Sequence, residues 1–171
     1  MKSLTAFNFR QWIEEHRELL KPPVCNQQVF DENDFIVMVI GGPNERTDYH
    51  YDEGPELFYQ LEGDILLQTI QDGERVDIKI SEGEMLLLPP RIPHSPQRPR
   101  KSLGLVVERK RLADELDGFM WYCDKCYTLL YEEYLYVDDI VGQLPPIFDR
   151  FYNSKENRTC DNCGNVMPSR K

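Results

Sequence analysis

The chain has 171 residues, with 20 Lys and Arg against 30 Asp and Glu and a formal charge of −10. That length suits one domain with a full core and a small appendage, and 40% hydrophobic with 11% aromatic residues is enough apolar content to fold unaided. The acidic balance argues against a nucleic-acid duplex or an anionic membrane as the main partner, since either repels the chain as a whole, whereas a small anionic substrate needs only a local basic pocket.

From Asn8 to Leu20, the residues Phe9, Trp12, Ile13, Leu19 and Leu20 recur at helical spacing, and Pro22-Pro23 cannot continue a helix, which predicts one amphipathic opening helix. Arg10, Glu14, Glu15, Arg17 and Glu18 interrupt the apolar run that a secretion signal requires, so the expected location is cytoplasmic. Short runs rich in Val, Ile, Leu, Phe and Tyr follow at Val29–Phe30, Phe35–Ile40, Leu57–Leu61, Ile65–Ile70, Val76–Ile80, Met85–Leu88 and Leu103–Val107. Each is bounded by turn-forming residues and is strand-sized, far below the roughly 20 residues of a membrane helix, so no membrane span is expected. Val76, Ile78 and Ile80 alternate with Asp77 and Lys79 after Asp72-Gly73, the pattern of a hairpin strand with one wet face. Many short strands without intervening helices predict an all-β sandwich or barrel.

After Glu108 a charged stretch, Arg109 to Asp117, leads into an aromatic, cysteine-containing tail. This places a soft boundary near residue 111, between segments 1–111 and 112–171. In the tail, Ile147, Phe148 and Phe151 have helical spacing, and the aromatics Tyr127, Tyr131, Tyr134, Tyr136 and Tyr152 suit packing against the barrel better than binding a cofactor.

Among three histidines, His50 lies six residues before Glu56 around the turn-like Asp52-Glu53-Gly54-Pro55, and His94 ends a run that begins at Gly83. Two imidazoles and one carboxylate form a ligand set that holds Fe(II) and leaves one face of the octahedron open for substrate and dioxygen. Taken singly, a histidine is more commonly an ordinary loop or core residue than a ligand; the spacing decides. Gly42, five residues, Asp48-Tyr49-His50, Glu56, six residues and Gly63 closely resemble the first cupin motif, and Gly83, five residues, Pro89, His94 and Arg98 resemble the second. Asp48 stands where many cupins have a first histidine, and Arg91 where they have glycine. That leaves a three-ligand site; Asp48 could supply a fourth ligand, but a place beside the site or in solvent suits it better.

Arg46 and Arg98 flank the proposed metal ligands, and a guanidinium fork matches a carboxylate bidentately. The implied substrate carries a carboxylate, while Arg91, Arg100 and Lys101 suit surface ion pairs. Glu108 ends the run Leu103–Val107. It either turns inward to accept from a substrate amino or hydroxyl group, or pairs with Arg46, Arg98 or Arg109.

Cys123-Asp124-Lys125-Cys126 and Cys160-Asp161-Asn162-Cys163 are two CxxC knuckles, which in a reducing compartment point to a closed tetrahedral Zn or Fe site of structural role. Cys25 is left over as a buried thiol.

The cupin motifs, the strings Arg-Thr-Asp-Tyr-His-Tyr and Pro-His-Ser-Pro-Gln-Arg-Pro, and the four-cysteine tail together resemble the 3-hydroxyanthranilate 3,4-dioxygenases in their short bacterial and fungal form. The resemblance covers nearly the whole chain. It implies a cupin double-stranded β-helix over 1–111, with a rubredoxin-like four-cysteine site in an extension over 112–171. It implies catalytic Fe(II) on His50, Glu56 and His94, with Arg46 at dioxygen, Arg98 and Glu108 on the substrate, and Glu56 touching it too. It also implies a second iron, or zinc, on Cys123, Cys126, Cys160 and Cys163, and a homodimer. The implied reaction opens the ring of 3-hydroxyanthranilate with O2, giving 2-amino-3-carboxymuconate semialdehyde, the precursor of quinolinate in NAD synthesis from tryptophan. Two alternatives stand beside it: another aminophenol or catechol carboxylate as substrate, or a non-catalytic cupin that binds a metal or a carboxylate.

Overall fold

A computed structural model describes residues 5–22, 25–30, 34–44, 46–137 and 140–169, the first three residues of the last range by backbone alone. Pro23, the second residue of the expected helix stop, lies outside the described residues, as does the start of the chain before Thr5.

The opening helix α1 spans Phe9–His16, with the Asn8 side chain accepting from the Gln11 backbone N–H as its cap. It is shorter than the apolar spacing suggests, because Leu19 and Leu20 belong to the turns that follow. The strands are β1 (Asn26–Gln28), β2 (Phe35–Gly41), β3 (Tyr49–Tyr51), β4 (Glu56–Glu62), β5 (Ile65–Gln71), β6 (Glu74–Ile80), β7 (Met85–Leu88), β8 (His94–Gln97), β9 (Leu103–Arg109), β10 (Asp117–Tyr122) and β11 (Leu129–Leu135), and helix α2 (Ile140–Asn153) closes the order. Val29–Phe30, expected as a strand, lies just past β1 instead. β5 and β6 form the hairpin expected at Asp72-Gly73, both residues at positive φ of 52° and 81°.

Two antiparallel sheets face each other, β1-β2-β9-β4-β7 and β11-β10-β3-β8-β5-β6, the jelly-roll arrangement of a cupin. Between them Phe58, Ile65, Leu67, Ile80, Leu88 and Val106 form the central core. Strand alternation puts Glu56, Phe58 and Gln60 of β4 on this inner face, beside Glu108, Val106 and Gly104 of β9. On the outer face of the first sheet, Val39 and Leu103 are covered by Ile13 of α1 and by Leu20. Phe35, Met85 and Leu87 of that sheet remain exposed.

The boundary near residue 111 falls between β9 and β10. β10 returns to the second sheet and pairs with β3, Phe119 opposite His50, so main-chain hydrogen bonds join the tail to the barrel. Its face then packs on α2: Phe119, Trp121, Ile147, Phe151 and Met167 form a second buried cluster, with the Trp121 and Phe151 rings stacked at 4.6 Å.

Candidate metal centre and active site

β3 is three residues long and sits between β8 and β10, so His50 has His94 on one side and Phe119 on the other. The Phe119 ring stacks on His50 at 5.5 Å, and the two imidazole centroids are 5.3 Å apart. Glu56 reaches in from β4 of the facing sheet. One ligand atom from each of His50, Glu56 and His94 lies within 4.8 Å of the others, and Glu56 and His94 are buried.

Each imidazole is oriented through one of its ring nitrogens. His94 Nδ1 lies 3.0 Å from the Ile92 carbonyl, which can only accept, so this nitrogen carries the proton. In the neutral ring, the Nε2 lone pair then faces Glu56 Oε2 at 2.8 Å, and that buried oxygen has no hydrogen-bond donor of good geometry. A lone pair confronting a carboxylate oxygen calls for a cation between them. His50 Nε2 lies 3.0 Å from Asp117 Oδ2, leaving Nδ1 to offer. The donor set of two nitrogens and one carboxylate oxygen therefore fits a hard-to-borderline divalent metal with open positions.

Arg98 is 2% exposed, and none of its three side-chain nitrogens has a hydrogen-bond partner among the described residues. A buried cation without a counter-ion is an expensive arrangement unless a ligand completes it. Burial pulls its pKa down to about 10, with Arg46 adding to the fall and Glu56 opposing it. Room for the guanidinium depends on Gly104, since a Cβ there would lie 2.7 Å from Arg98 Nη1 and 2.9 Å from Gln60 Oε1. The loop is held from behind by Asn44, which accepts from the Arg98 backbone N–H at 2.7 Å and donates to the Pro96 carbonyl at 2.7 Å.

Arg46 pairs with the buried Asp48 carboxylate. Asp48 thus lies outside the three-residue cluster, as the partner of an arginine.

Glu108 turns inward directly opposite Glu56, so two carboxylates share one strand pair. Burial pushes Glu108 up to about 8, and the Glu56 charge adds to the rise. Its partner is neither Arg46, Arg98 nor Arg109 but Arg111, whose Nη1 is 2.6 Å away. Arg109 points outward to Glu115, and Arg91 pairs on the surface with Glu53. Arg111 and Asp117 carried no motif signal; they sit in the charged stretch that reads as a linker. Only a Glu108–Arg111 spacing of three hinted at the pair.

The four cysteines form the second cluster. Sγ···Sγ separations are 3.6 Å for Cys123–Cys163 and 3.5 Å for both Cys126–Cys160 and Cys126–Cys163. A tetrahedron of metal–sulfur bonds near 2.3 Å has edges of about 3.8 Å, so the cage needs little adjustment to close on one ion. The two knuckles repeat one backbone design. Tyr127 N–H donates to the Cys123 carbonyl and Gly164 N–H to the Cys160 carbonyl, both residues at positive φ. Hydrogen bonding from Thr128 lowers the Cys126 thiol, while the hydrogen bond between Cys126 and its neighbour Cys163 raises Cys163, so the pair gives up one proton more easily than the other. Cys25 is only partly buried and joins neither cluster.

The family model for 3-hydroxyanthranilic acid dioxygenase matches residues 1–152. The chain belongs to that family. The chain is 54% identical over 166 residues to the 3-hydroxyanthranilate 3,4-dioxygenase of Xanthomonas euvesicatoria pv. vesicatoria, covering 97% of this chain and 94% of the relative. It is 49% identical to the protein of the same name from Ruegeria pomeroyi, covering 100% and 96%. Among solved structures, a cupin-2 domain containing protein from Shewanella frigidimarina superposes with a TM-score of 0.48 at 18% identity, over 60% of this chain and 93% of that one. Membership of the 3-hydroxyanthranilic acid dioxygenase family makes the protein an oxygenase, and among the described residues two groups, His50, Glu56 and His94 and the four cysteines, are arranged so that each could hold a metal ion.

Proposed function

We propose that the protein is an Fe(II)-dependent 3-hydroxyanthranilate 3,4-dioxygenase that opens the ring between C3 and C4, both oxygen atoms entering 2-amino-3-carboxymuconate semialdehyde. That product closes to quinolinate, which places the enzyme in NAD synthesis through the kynurenine route. The observation that carries the reading is the buried, unpartnered Arg98 in the same barrel as a two-histidine, one-carboxylate cluster.

His50, Glu56 and His94 would hold Fe(II), which when bound would supply Lewis-acid and dioxygen-activating chemistry. The chain's own residues do the rest. Arg98 pairs bidentately with the ring carboxylate, which fills its empty hydrogen-bonding capacity and fixes the ring's orientation. Glu108, aimed into the barrel beside Glu56, accepts from the substrate's amino or hydroxyl group, and Glu56 touches the substrate as well. Arg46, held by Asp48, stands by the dioxygen position. Phe58, Val106 and Leu88 wall the interior and keep water out. The four-cysteine cluster holds a single iron, or zinc, that is structural, and residues 112–171 act as an extension of the catalytic domain at 1–111.

The test is anaerobic loading with Fe(II), addition of 3-hydroxyanthranilate, and simultaneous recording of oxygen uptake and semialdehyde absorbance. One O2 consumed per substrate, with quinolinate appearing later, supports the assignment; no uptake by iron-loaded protein overturns it. Arg98→Ala is expected to lower kcat/KM by roughly a hundredfold or more, about 3 kcal/mol for a desolvated charge-assisted pair, with KM rising and kcat falling. Unchanged kinetics would remove Arg98 from the site.

The family resemblance implies a homodimer, and the outer face of the first sheet supports it. Met85 and Leu87 of β7 each stand 63% exposed there, apolar side chains that a second copy would cover, and Phe35 of β2 is 59% exposed on the same face. Sedimentation is expected to give a dimer for the wild type and a monomer for Met85→Glu/Leu87→Glu; a monomeric wild type rejects the pairing. Thiolates clustered without disulfides suit a cytoplasmic location.

A further inference from the structure

We propose that Arg111 is a positioning residue for the metal centre, clamping Asp117, Glu108 and Asp52 so that the His50 ring and the Glu108 carboxylate hold one arrangement. The inference rests on the reading that His50, Glu56 and His94 bind a metal.

The Arg111 side chain is only 10% exposed and meets three carboxylates. Its Nε and Nη2 each lie 2.8 Å from an Asp117 oxygen, its Nη1 is 2.6 Å from Glu108 Oε2, and its Nη2 is 3.0 Å from Asp52 Oδ2. The two parallel bonds to Asp117 fix the plane of that carboxylate, which a lysine point charge cannot do. Asp117 Oδ2 is the oxygen that meets His50 Nε2 at 3.0 Å, so the carboxylate plane in turn sets the direction of the ring and the nitrogen left for the metal.

The three carboxylates come from three places that must agree. Glu108 belongs to β9 in the first sheet, Asp117 to β10 in the second, and Asp52 to the turn joining β3 to β4, where its Oδ1 also accepts from the Gly54 backbone N–H at 2.7 Å. That turn sets the spacing of His50 and Glu56. Arg111 therefore ties both sheets and the ligand-bearing turn together beside the site. Without it, Asp52, Glu108 and Asp117 would crowd the edge of the site with no shared cation, and Asp117 would be free to rotate away from His50.

The experiment uses protein whose four-cysteine site is filled and whose second metal has been removed by mild chelation, titrated anaerobically with Fe(II) and followed by calorimetry. Arg111→Met is expected to bind Fe(II) about 10- to 100-fold more weakly, with bound metal at the four-cysteine site unchanged. Arg111→Lys is expected to restore only part of the loss. Asp117→Asn should weaken Fe(II) comparably, and the Arg111→Met/Asp117→Asn double variant should be little worse than either single change, because both act along one path. Fe(II) affinity within twofold of wild type in a folded Arg111→Met, even with a lowered Tm, overturns the proposal, since the arginine would then serve stability alone. Should Arg111→Met fail to fold, unchanged affinity in Asp117→Asn overturns it by the same reasoning. Normal Fe(II) binding by wild type without turnover of 3-hydroxyanthranilate defeats the substrate assignment and leaves the affinity comparison standing; absence of Fe(II) binding by wild type defeats both.

Discussion

His94→Gln is expected to abolish turnover while the barrel stays folded. His94 is 2% exposed, bonded through Nδ1 to the Ile92 carbonyl and set edge-on to the Phe58 ring at 5.9 Å. Glutamine fills much of that volume and can donate its amide to Glu56, so the carboxylate is not left as a lone buried charge, the situation that makes removal of one partner so damaging. What it removes is an imidazole lone pair. A metal's electrostatic contribution to an oxygenation is several kcal/mol, and about 4 kcal/mol corresponds to roughly a thousandfold in rate. Oxygen uptake should therefore fall at least that far, alongside loss of one metal per chain and near-unchanged thermal unfolding. Activity within tenfold of wild type at equal iron content would exclude His94 as a ligand.

The second large effect is expected from Cys123→Ser. Cys123 is fully buried, and Trp121, two residues earlier in β10, stacks on Phe151 of α2 within the tail's own core. A structural tetrathiolate contributes folding free energy on the order of 10 kcal/mol, far more than the small core around Trp121 supplies by itself. Loss of one thiolate should release the ion, lower the unfolding temperature of the tail and open residues 154–167 to proteolysis. Freshly purified variant should retain turnover, because no residue of the catalytic cluster lies in the segment between the knuckles. The two regions do touch, Tyr152 meeting Thr47 and Phe148 lying edge-on to Phe119 at 6.3 Å, so activity should decay on storage as the tail loosens. Complete loss of turnover in fresh, folded protein would contradict a structural role.

The long strands were legible in the sequence because their alternation reports burial directly: β4 and β9 read as strands and carry Glu56 and Glu108 inward as their period of two demands. β3, β8 and β10 were not. β3 is too short to show a period, and β8 contains Pro96, which argues against a central strand. The proline is accommodated because β8 meets β3 only at the His50–His94 pair, and beyond it Asn44 donates to the Pro96 carbonyl in place of a strand partner. β10 begins inside a charged stretch whose Asp117 looks solvated and is in fact 2% exposed. The candidate ligands could be found from spacing, since His50 and Glu56 are local and His94 closes a second recognisable motif. Arg111 and Asp117 could not, because their significance arises only when β10 folds back across 67 residues to His50. The partner of Glu108 lies only three residues on, and was missed because Arg111 follows the end of a strand, where no helical period brings side chains three apart together.

That long return has a consequence for synthesis. β3 is flanked on both sides by strands that emerge later, His94 of β8 and then Phe119 of β10, so when residues 49–51 leave the ribosome they have nothing to pair with. Until β8 follows, His50 and Glu56 are the only members of the three-residue set that exist. The set is complete only once His94 has been made, by which time β1, β2, β4 and β7 of the first sheet already exist to enclose it.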